Sequence, residues 1–462
     1  MPESPRDIAV SALLDRSGNV SAHLDRLLAE ADLSGLDKAL ARELALGAVR
    51  RKGTLEAVLS AFLKSPGQAL PGPVRQALHV GLYQILFLER VPAFAAVNEA
   101  VEQVSRFHHR SKAGLVNGLL RSVAREVSPV LEGKPPHAPD VLPLGPATYR
   151  QVARAIFPDP AAEPAAYLAA AMSLPPALAR RWLERAGSLE AAMALAVHSN
   201  TRAPLILRVN RLKADLETAA AALAGDGVRT APHANGRSLV VEGWVNVREL
   251  AAFRDGLIQP QDPSASAVID AAAPQPGMNV LDFCAAPGAK TTLLAELMRN
   301  EGRIVATDVS PDRLARIDDN CRRMGIAIVT TLLADKVGSL TAQSFDLALA
   351  DVPCSNTGVL ARRAEARWRF DETRLAALAA DQRTLLSMAA QFVRPGGTVV
   401  YSTCSVEPEE NAQVARWAVQ QARRGSGPAA LQLVREELTL PAGADDPRQW
   451  HDGGYFAVFR VR

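Results

Sequence analysis

Apolar side chains recur every three or four positions through the first quarter of the chain. Leu36, Leu40, Leu44 and Val49 recur at roughly this spacing, as do Leu78, Leu82, Ile85 and Leu86. That is the period of helices with one buried face, and it predicts an all-helical region from about residue 7 to 127. Ser34 with Asp37 three residues on has the form of a capping box, which starts a helix over residues 36–51. Between about 128 and 172 prolines crowd together, from Pro129 through Pro135, Pro136, Pro139 and Pro143 to Pro164. That stretch reads as a linker with short helices, because proline limits long ones. A helical stretch follows from about 176 to 198. At Leu205 the period shortens to that of strands: 205–209 and 238–241 flank a helix over 214–224, which Gly225-Asp226-Gly227 ends. Beyond residue 265, strand candidates at 280–283, 303–307, 326–333, 345–350 and 398–401 alternate with Ala- and Leu-rich helical segments. Such alternation predicts a mostly parallel sheet with helices on both faces.

The expectation is a multi-domain chain. Residues 1–130 form an all-α domain, 131–200 a Pro-rich linker with connecting helices, 201–260 a small α+β module, and 261–462 an α/β Rossmann-like domain. The length of 462 residues agrees, at about 150 residues per domain. Hydrophobic residues are 48% and charged residues 22%, the balance of a globular chain, which excludes disorder as the default state. The net charge of +3 is too even to announce a nucleic-acid partner, yet it leaves room for a local basic surface. Arg50, Arg51 and Lys52, and later Arg106, Arg110, Lys112, Arg121 and Arg125, interleave with the helical pattern. They read as solvated helix faces or, more sharply, as an RNA-facing surface. The polar N-terminus Met1-Pro2-Glu3-Ser4-Pro5-Arg6-Asp7 carries no signal-peptide core, and no apolar run approaches the ~20 residues of a membrane helix. Four cysteines in so long a chain read as reduced thiols of a cytoplasmic protein.

Candidate chemistry gathers at the carboxyl ends of the expected parallel strands, where α/β sheets place ligands. Residues 279–291 read as a strand, a tight turn and a helix start, with Cys284, Ala285, Ala286, Pro287, Gly288, Ala289 and Lys290 in the turn. Small residues let the backbone approach a ligand, and the helix N-terminus offers N–H groups. The turn is neither G-x-G-x-x-G nor a P-loop, and it reads as a nucleoside-cofactor turn or an ordinary small-residue βα turn. Asp308, 20 residues past Gly288, stands where a Rossmann-like site meets ribose hydroxyls. Ser310-Pro311-Asp312 then opens a helix, so Asp312 is structural. Asp335 ends the third strand and is either an adenine contact or a turn residue. Cys354, in Asp351-Val352-Pro353-Cys354-Ser355, and Cys404, in Ser402-Thr403-Cys404-Ser405, follow the next two strands. Two thiols and an acid at a nucleotide-type site form a constellation, whereas Cys321, in a helical segment, reads as a small buried hydrophobe. Glu409 and Glu410, after Pro408, read as acids in a first helical turn, favoured by the helix dipole.

In this order and spacing, Asp282-Phe283-Cys284-Ala285-Ala286-Pro287-Gly288, Asp351-Val352-Pro353-Cys354-Ser355 and Ser402-Thr403-Cys404-Ser405 resemble the Nop/Sun family of RNA cytosine-5 methyltransferases. Gln261-Asp262-Pro263-Ser264 and Asp452-Gly453-Gly454 match as well. Leu44-Ala45-Leu46-Gly47-Ala48-Val49-Arg50-Arg51, Val91-Pro92-Ala93-Phe94-Ala95-Ala96-Val97-Asn98-Glu99-Ala100-Val101 and Val116-Asn117-Gly118-Leu119-Leu120-Arg121 resemble a NusB-like domain. In this family that domain marks the bacterial Sun-type enzyme acting on 16S ribosomal RNA. The resemblance spans nearly the whole chain, except about 128–172. Departures are Asn356 after Pro-Cys-Ser, Ala289 in place of a glycine, and Lys336 after Asp335.

The resemblance implies an all-α NusB-like domain, a small RRM-like α+β module and a Rossmann-like methyltransferase domain that uses S-adenosyl-L-methionine. It makes Cys404 the nucleophile that adds to carbon 6 of cytosine and Cys354 the thiol that assists product release. Asp351 would act at N3 of the base, and Lys290 is a cation able to favour a Cys404 thiolate. Cys284, Ala285, Ala286, Pro287, Gly288, Ala289, Lys290, Asp308, Asp335 and Asp351 would hold the cofactor. The target base must leave its stack. Arg362, Arg363 and Arg367 beside Trp368, with Arg50 and Arg51, are candidate RNA contacts. The implied partner is 16S ribosomal RNA before or during small-subunit assembly, with a monomeric enzyme, no metal and no membrane. The competing readings are a DNA cytosine-5 methyltransferase, which would leave Cys404 without a role, an RNA-binding module with an inactive methyltransferase fold, and the same chemistry on transfer RNA or large-subunit RNA.

Overall fold

The computed structural model describes residues 4–15, 19–65, 67–423 and 431–462; Met1-Pro2-Glu3 of the polar N-terminus lie outside the described residues. The chain forms two compact units. One comprises Met1–Thr201 together with Leu360–Asp371, the other Arg202–Val359 and Glu372–Arg462.

The first unit is built around the helix Gly72–Phe87. Every residue from Ala77 to Leu86 in it is buried, as expected of a helix that is apolar all round. Helices Pro5–Leu13, Gly35–Arg50, Ala93–Arg106 and Ala113–Glu126 pack around it. The anticipated capping box is present: the Asp37 N–H donates to Ser34 Oγ at 3.2 Å, and Ser34 Oγ donates to Asp37 Oδ2 at 2.7 Å. The Pro-rich stretch is not a simple linker. It folds into a three-stranded antiparallel sheet in the order Leu131–Glu132, Thr148–Gln151, Val141–Pro143, followed by the helix Pro164–Ala171. Prolines are accommodated where no N–H is needed. Pro143 ends an edge strand, Pro164 opens a helix, and the Pro139 carbonyl accepts from the N–H groups of Ile156 and Phe157 at 2.8 and 2.9 Å. The single helical stretch expected near 176–198 is two helices, Pro176–Ala186 and Leu189–Asn200, the second capped by Ser188.

The segment Leu360–Asp371 belongs to this helical unit, although in sequence it lies inside the α/β domain. Arg367, expected to face RNA, is fully buried. Its Nη1 donates to Arg50 O and Ser173 O at 3.1 Å and to Asn200 Oδ1 at 2.9 Å; its Nη2 donates to Ser199 O at 2.8 Å. Trp368 donates to Val49 O at 2.8 Å, and Lys52 lies over its ring. Arg51 is also buried, donating to Pro143 O and Leu144 O with its guanidinium over Phe87. Arg50 is half-buried and donates to Ala361 O at 3.3 Å. Arg367 and Arg51 are thus interior cross-links, not RNA contacts, because backbone carbonyls rather than solvent take up their donors. Arg362 and Arg363 are exposed.

The second unit contains two sheets. The smaller is antiparallel, in the order Thr230–Pro232, Ser238–Val241, Ile206–Val209, Ile258–Pro260, with helices Leu216–Gly225 and Ala251–Arg254. Its three-residue strands Thr230–Pro232 and Ile258–Pro260 are too short to show a period in sequence. Buried Arg208 ties this sheet to the helix Ala289–Leu297 by an ion pair with Glu296 and by donating to Thr292 Oγ1 at 3.0 Å.

The larger sheet has seven strands. Numbered along the chain they lie in the order 3-2-1-4-5-7-6: Val329–Leu333, Arg303–Asp308, Asn279–Asp282, Phe345–Asp351, Val393–Thr403, Gly454–Val461 and Leu431–Thr439. The first five are parallel; Gly454–Val461 runs antiparallel to Val393–Thr403, and Leu431–Thr439 antiparallel to Gly454–Val461. Leu347 and Leu349 pack with the helices Pro263–Ala272, Ala289–Leu297 and Pro311–Met324; Ala348 and Ala350 pack on the other face with Glu372–Gln391 and Ala412–Arg423. Both faces are covered, as a parallel sheet requires. The register pairs Asp351 with Ser402, so the ends of two strands bring their loops side by side. No helix among the described residues is long and apolar enough to cross a membrane.

Candidate active site

The strand Asn279–Asp282 runs into the turn that the sequence marks as a cofactor cradle. Gly288 begins the helix Ala289–Leu297 at φ +97°, a left-handed conformation that favours glycine, and a Cβ there would meet Ile317 at 3.1 Å. Ala285 and Ala286 are buried and Pro287 is exposed. The Ala286 N–H donates to Asp308 Oδ2 at 3.3 Å. Arg313 spans the same place, donating to Ala286 O at 2.6 Å and pairing with Asp308 at 3.2 Å. The predicted cap of the next helix is present, Ser310 accepting from the Arg313 N–H, with Asp312 in the first turn. Asp335 is exposed in the short 3-10 helix that follows the strand Val329–Leu333. A small-residue turn, an acid at the end of the adjacent strand and an exposed acid at the end of the third form a set of hydrogen-bond acceptors that fits a nucleoside with ribose hydroxyls and a base amino group.

Lys290 leaves this turn and its Nζ donates to Asp351 Oδ2 at 2.7 Å. Burial works to lower the Lys290 pKa, but Asp351 foremost, with Cys404 and Asp282, outweighs it and holds the ammonium above its ordinary value. Asp351 Oδ1 accepts from Ser402 Oγ at 2.7 Å. Both oxygens of Asp351 therefore have partners, and Asp351 meets the site as half of an ion pair rather than as a lone acid. Burial, with the charges of Asp351, Asp282 and Asp308, pushes the Cys284 thiol up to about 12, so Cys284 is a neutral thiol in the cradle.

Asp282 is fully buried behind this pair. Thr291 Oγ1 donates to its Oδ2 at 2.7 Å, and its Oδ1 has no hydrogen-bond partner. Burial pushes its carboxyl up to about 7, with Asp351 adding to the shift. Below about pH 4 both folded and unfolded chains carry this proton and its contribution is fully present. As pH rises towards 7 the unfolded chain ionises first, so stability falls, by about 4 kcal/mol for this group. Asp282→Asn cannot titrate. Its melting temperature relative to the unsubstituted protein should rise between pH 4.5 and pH 8, measured by thermal unfolding across that range; parallel pH profiles would refute the assignment.

The two cysteines singled out in the sequence meet in the structure. Cys354 Sγ and Cys404 Sγ lie 3.0 Å apart without a disulfide, and Cys404 Sγ donates to Asn356 Oδ1 at 3.3 Å. Asn356, the departure after Pro-Cys-Ser, holds a left-handed φ of 63° and donates to Cys354 O at 2.8 Å. The hydrogen bond with Cys404, then burial, keeps the Cys354 thiol well above its ordinary pKa. The Gly358 N–H donates to Cys404 O at 3.0 Å, and the Gly453 N–H to Gly358 O at 2.8 Å. A Cβ on Gly358 would meet Gly453 O at 2.5 Å, so only glycine permits this approach. The peptides 261–264 and 452–454 also meet: Asp262 Oδ1 accepts from the Asp452 N–H at 3.0 Å. Cys321, by contrast, is buried in the helix Pro311–Met324.

Sequence reasoning missed what supports the two thiols. The helix expected to open at Pro408 starts at Ala412, and residues 408–411 form a turn. Glu410 is fully buried in that turn and reaches the loop of Cys354, not a helix N-terminus. Gln382 and Tyr401 join it from the interior. A fully buried acid leaves no mark in a local pattern. Its place directly after a candidate nucleophile loop is the only signal that could have pointed to it.

A model of the 16S rRNA methyltransferase RsmB/F family matches residues 269–436, one of the NusB family residues 3–125, and one of the RsmF/B-like ferredoxin-like domain residues 174–248. The chain is 33% identical over 406 residues to ribosomal RNA small subunit methyltransferase B of Sodalis glossinidius (strain morsitans), covering 87% of this chain and 85% of that one. It is 30% identical over 424 residues to a probable ribosomal RNA small subunit methyltransferase B of Bacillus subtilis (strain 168), covering 90% and 88%. The crystal structure of PH0851 has the same fold, with a TM-score of 0.74 at 24% identity over 100% of this chain and 99% of that one. A methyltransferase homolog protein from Pyrococcus horikoshii superposes with a TM-score of 0.52 at 27% identity, covering 63% and 97%.

Proposed function

The chain belongs to the RsmB/F family of 16S rRNA methyltransferases, and on that premise we propose that it methylates carbon 5 of a cytosine in 16S ribosomal RNA through a covalent Cys404 adduct. The observation that carries this reading is the pair of thiols 3.0 Å apart beside the Lys290–Asp351 ion pair. A single nucleophile would need no second thiol at that distance. The neighbouring ammonium supplies the cation that a thiolate at Cys404 requires.

S-adenosylmethionine, when bound, supplies an electrophilic methyl group. Residues 284–290 with Asp308 and Asp335 would hold it, Asp308 being suited to ribose hydroxyls and Asp335 to the adenine amino group. Carbon 5 of cytosine is a poor nucleophile, and the protein's task is to activate it. The Cys404 thiolate adds to carbon 6, forming an S–C bond and pushing the ring electrons towards carbon 5, which would take the methyl group as the sulfonium's S–CH3 bond breaks and leaves a thioether. The Lys290–Asp351 pair would meet the charge that develops on the N3 side of the ring, with Lys290 offering the proton-bearing atom. The carbon-5 proton then leaves to water, its electron pair restores the ring double bond, and the sulfur of Cys404 departs with the S–C pair.

The exposed Arg362 and Arg363 suit phosphate contact with the RNA. Because the base must be extruded to reach the thiols, cytoplasmic 16S RNA is the substrate before or during small-subunit assembly, while the target is uncovered. Bisulfite sequencing of ribosomal RNA with and without the protein tests this reading. One cytosine of 16S RNA should lose its protection when the protein is removed. An unchanged small-subunit map, or a change confined to transfer RNA or large-subunit RNA, would overturn the substrate.

A further inference from the structure

We propose that Glu410 is a positioning residue for the second thiol: it clamps the Pro353-Cys354-Ser355 turn against Cys404, and release of the methylated base depends on that clamp. The inference rests on the covalent Cys404 reading.

Glu410 has no exposure to solvent, and its carboxylate is committed to one turn. Oε1 accepts from the Ser355 N–H at 2.8 Å and from Gln382 Nε2 at 2.9 Å, and Oε2 accepts from Ser355 Oγ at 2.5 Å. Gln382, on the helix Glu372–Gln391, also donates to Pro353 O at 2.9 Å. The residues on both sides of Cys354 are thereby tied to one buried carboxylate. The clamp extends to the other loop. The Tyr401 hydroxyl donates to the Glu410 carbonyl, and Ser405 Oγ lies 3.1 Å from both Ser355 Oγ and Thr357 Oγ1. Loop 353–358 and loop 402–411 are thus held in register through side chains of both loops and of the helix Glu372–Gln391.

A neutral linker would suffice to join two loops, since an interior carboxylate carries a desolvation cost. The charge has a consequence at the thiols. Cys404 has the ammonium of Lys290 in its field, whereas Cys354 has the carboxylate of Glu410, which helps keep it a neutral thiol after the effects of Cys404 and burial. A neutral Cys354 can donate a hydrogen bond to the sulfur of Cys404 as the S–C6 bond breaks and its electron pair returns to that sulfur. The carbon-5 proton leaves to water. Misplacing Cys354 by even 1 Å slows that departure by about 10²-fold while leaving the addition step intact.

The test uses the full chain with a 16S ribosomal RNA transcript and S-adenosylmethionine. Protein–RNA adduct is resolved on denaturing gels and initial rates are measured in parallel. Cys354→Ala should accumulate the adduct. Glu410→Gln keeps the shape but loses the charge and one acceptor. It should accumulate adduct as well, with kcat reduced by about 10–10²-fold and KM for RNA little changed. Ser355→Ala, which removes only the Oγ bond and guards against a misfolded Glu410 variant, should show a weaker effect in the same direction. If Cys354→Ala traps adduct but neither Glu410→Gln nor Ser355→Ala does, the clamp is refuted and the covalent reading stands. A folded Glu410→Gln chain in which adduct formation and turnover fall together would also refute it. If Cys354→Ala traps nothing, the covalent reading fails and the clamp fails with it.

Discussion

Cys404→Ala should abolish methyl transfer to RNA, by about 10⁴–10⁶-fold, while Cys354→Ala should form the protein–RNA adduct and fail to resolve it. The asymmetry follows from what stands beside each sulfur. Lys290 lies within the field of Cys404 and is held there by Asp351 at 2.7 Å, whereas the Cys354 thiol is kept neutral by its bond to Cys404 and by burial. The losses are chemical rather than structural. Neither substitution touches the Gly358 and Gly453 backbone bonds that fix the Cys404 carbonyl, so unfolding transitions should stay close to that of the unsubstituted protein. Incorporation of labelled methyl into RNA and denaturing gels separate the two outcomes. Trapping by Cys404→Ala and plain inactivity of Cys354→Ala would reverse the assignment of roles.

Arg367→Ala destabilises the helical unit by about 3–5 kcal/mol, the second large effect. Its guanidinium serves the carbonyls of Arg50, Ser173 and Ser199 and the Asn200 side chain, and of these residues Ser173, Ser199 and Asn200 are buried. Truncation leaves those acceptors without donors, at about 1–3 kcal/mol each, offset in part by relaxation and by the desolvation no longer required of the cation. Arg367→Lys retains the charge but not the planar fork, and should recover only part of the loss. Denaturant unfolding measures both. A shift below about 1 kcal/mol for Arg367→Ala would show that the buried arginine is not a structural cross-link.

These two sites also show what the sequence could and could not convey. The thiols, Asp351, Lys290 and the 284–290 turn were legible because chemistry in an α/β sheet sits at the carboxyl ends of strands, and strand periods locate those ends. The central strands read well because both their faces are buried. The final antiparallel pair, Leu431–Thr439 and Gly454–Val461, and the short strands between Leu131 and Gln151 escaped notice. Arg367 and Arg51 misled because an arginine in a basic run looks the same whether carbonyls or water receive its donors. Glu410 misled for a related reason: an acid two residues after a proline suits a helix start, and only the tertiary position of Ser355 and Gln382 reveals its partners.

The insertion of Leu360–Asp371 into the helical unit sets a timetable for synthesis. The helices up to Thr201 emerge from the ribosome first, but the arginine that satisfies their interior carbonyls is translated some 170 residues later. At about 5–20 residues per second, the amino-terminal unit waits roughly ten to thirty seconds for its last piece. Its interior hydrogen bonds are complete only once that segment has been made. A ribosome that stalls before residue 371 leaves behind a helical half that is unfinished, and therefore an early target for quality-control proteases.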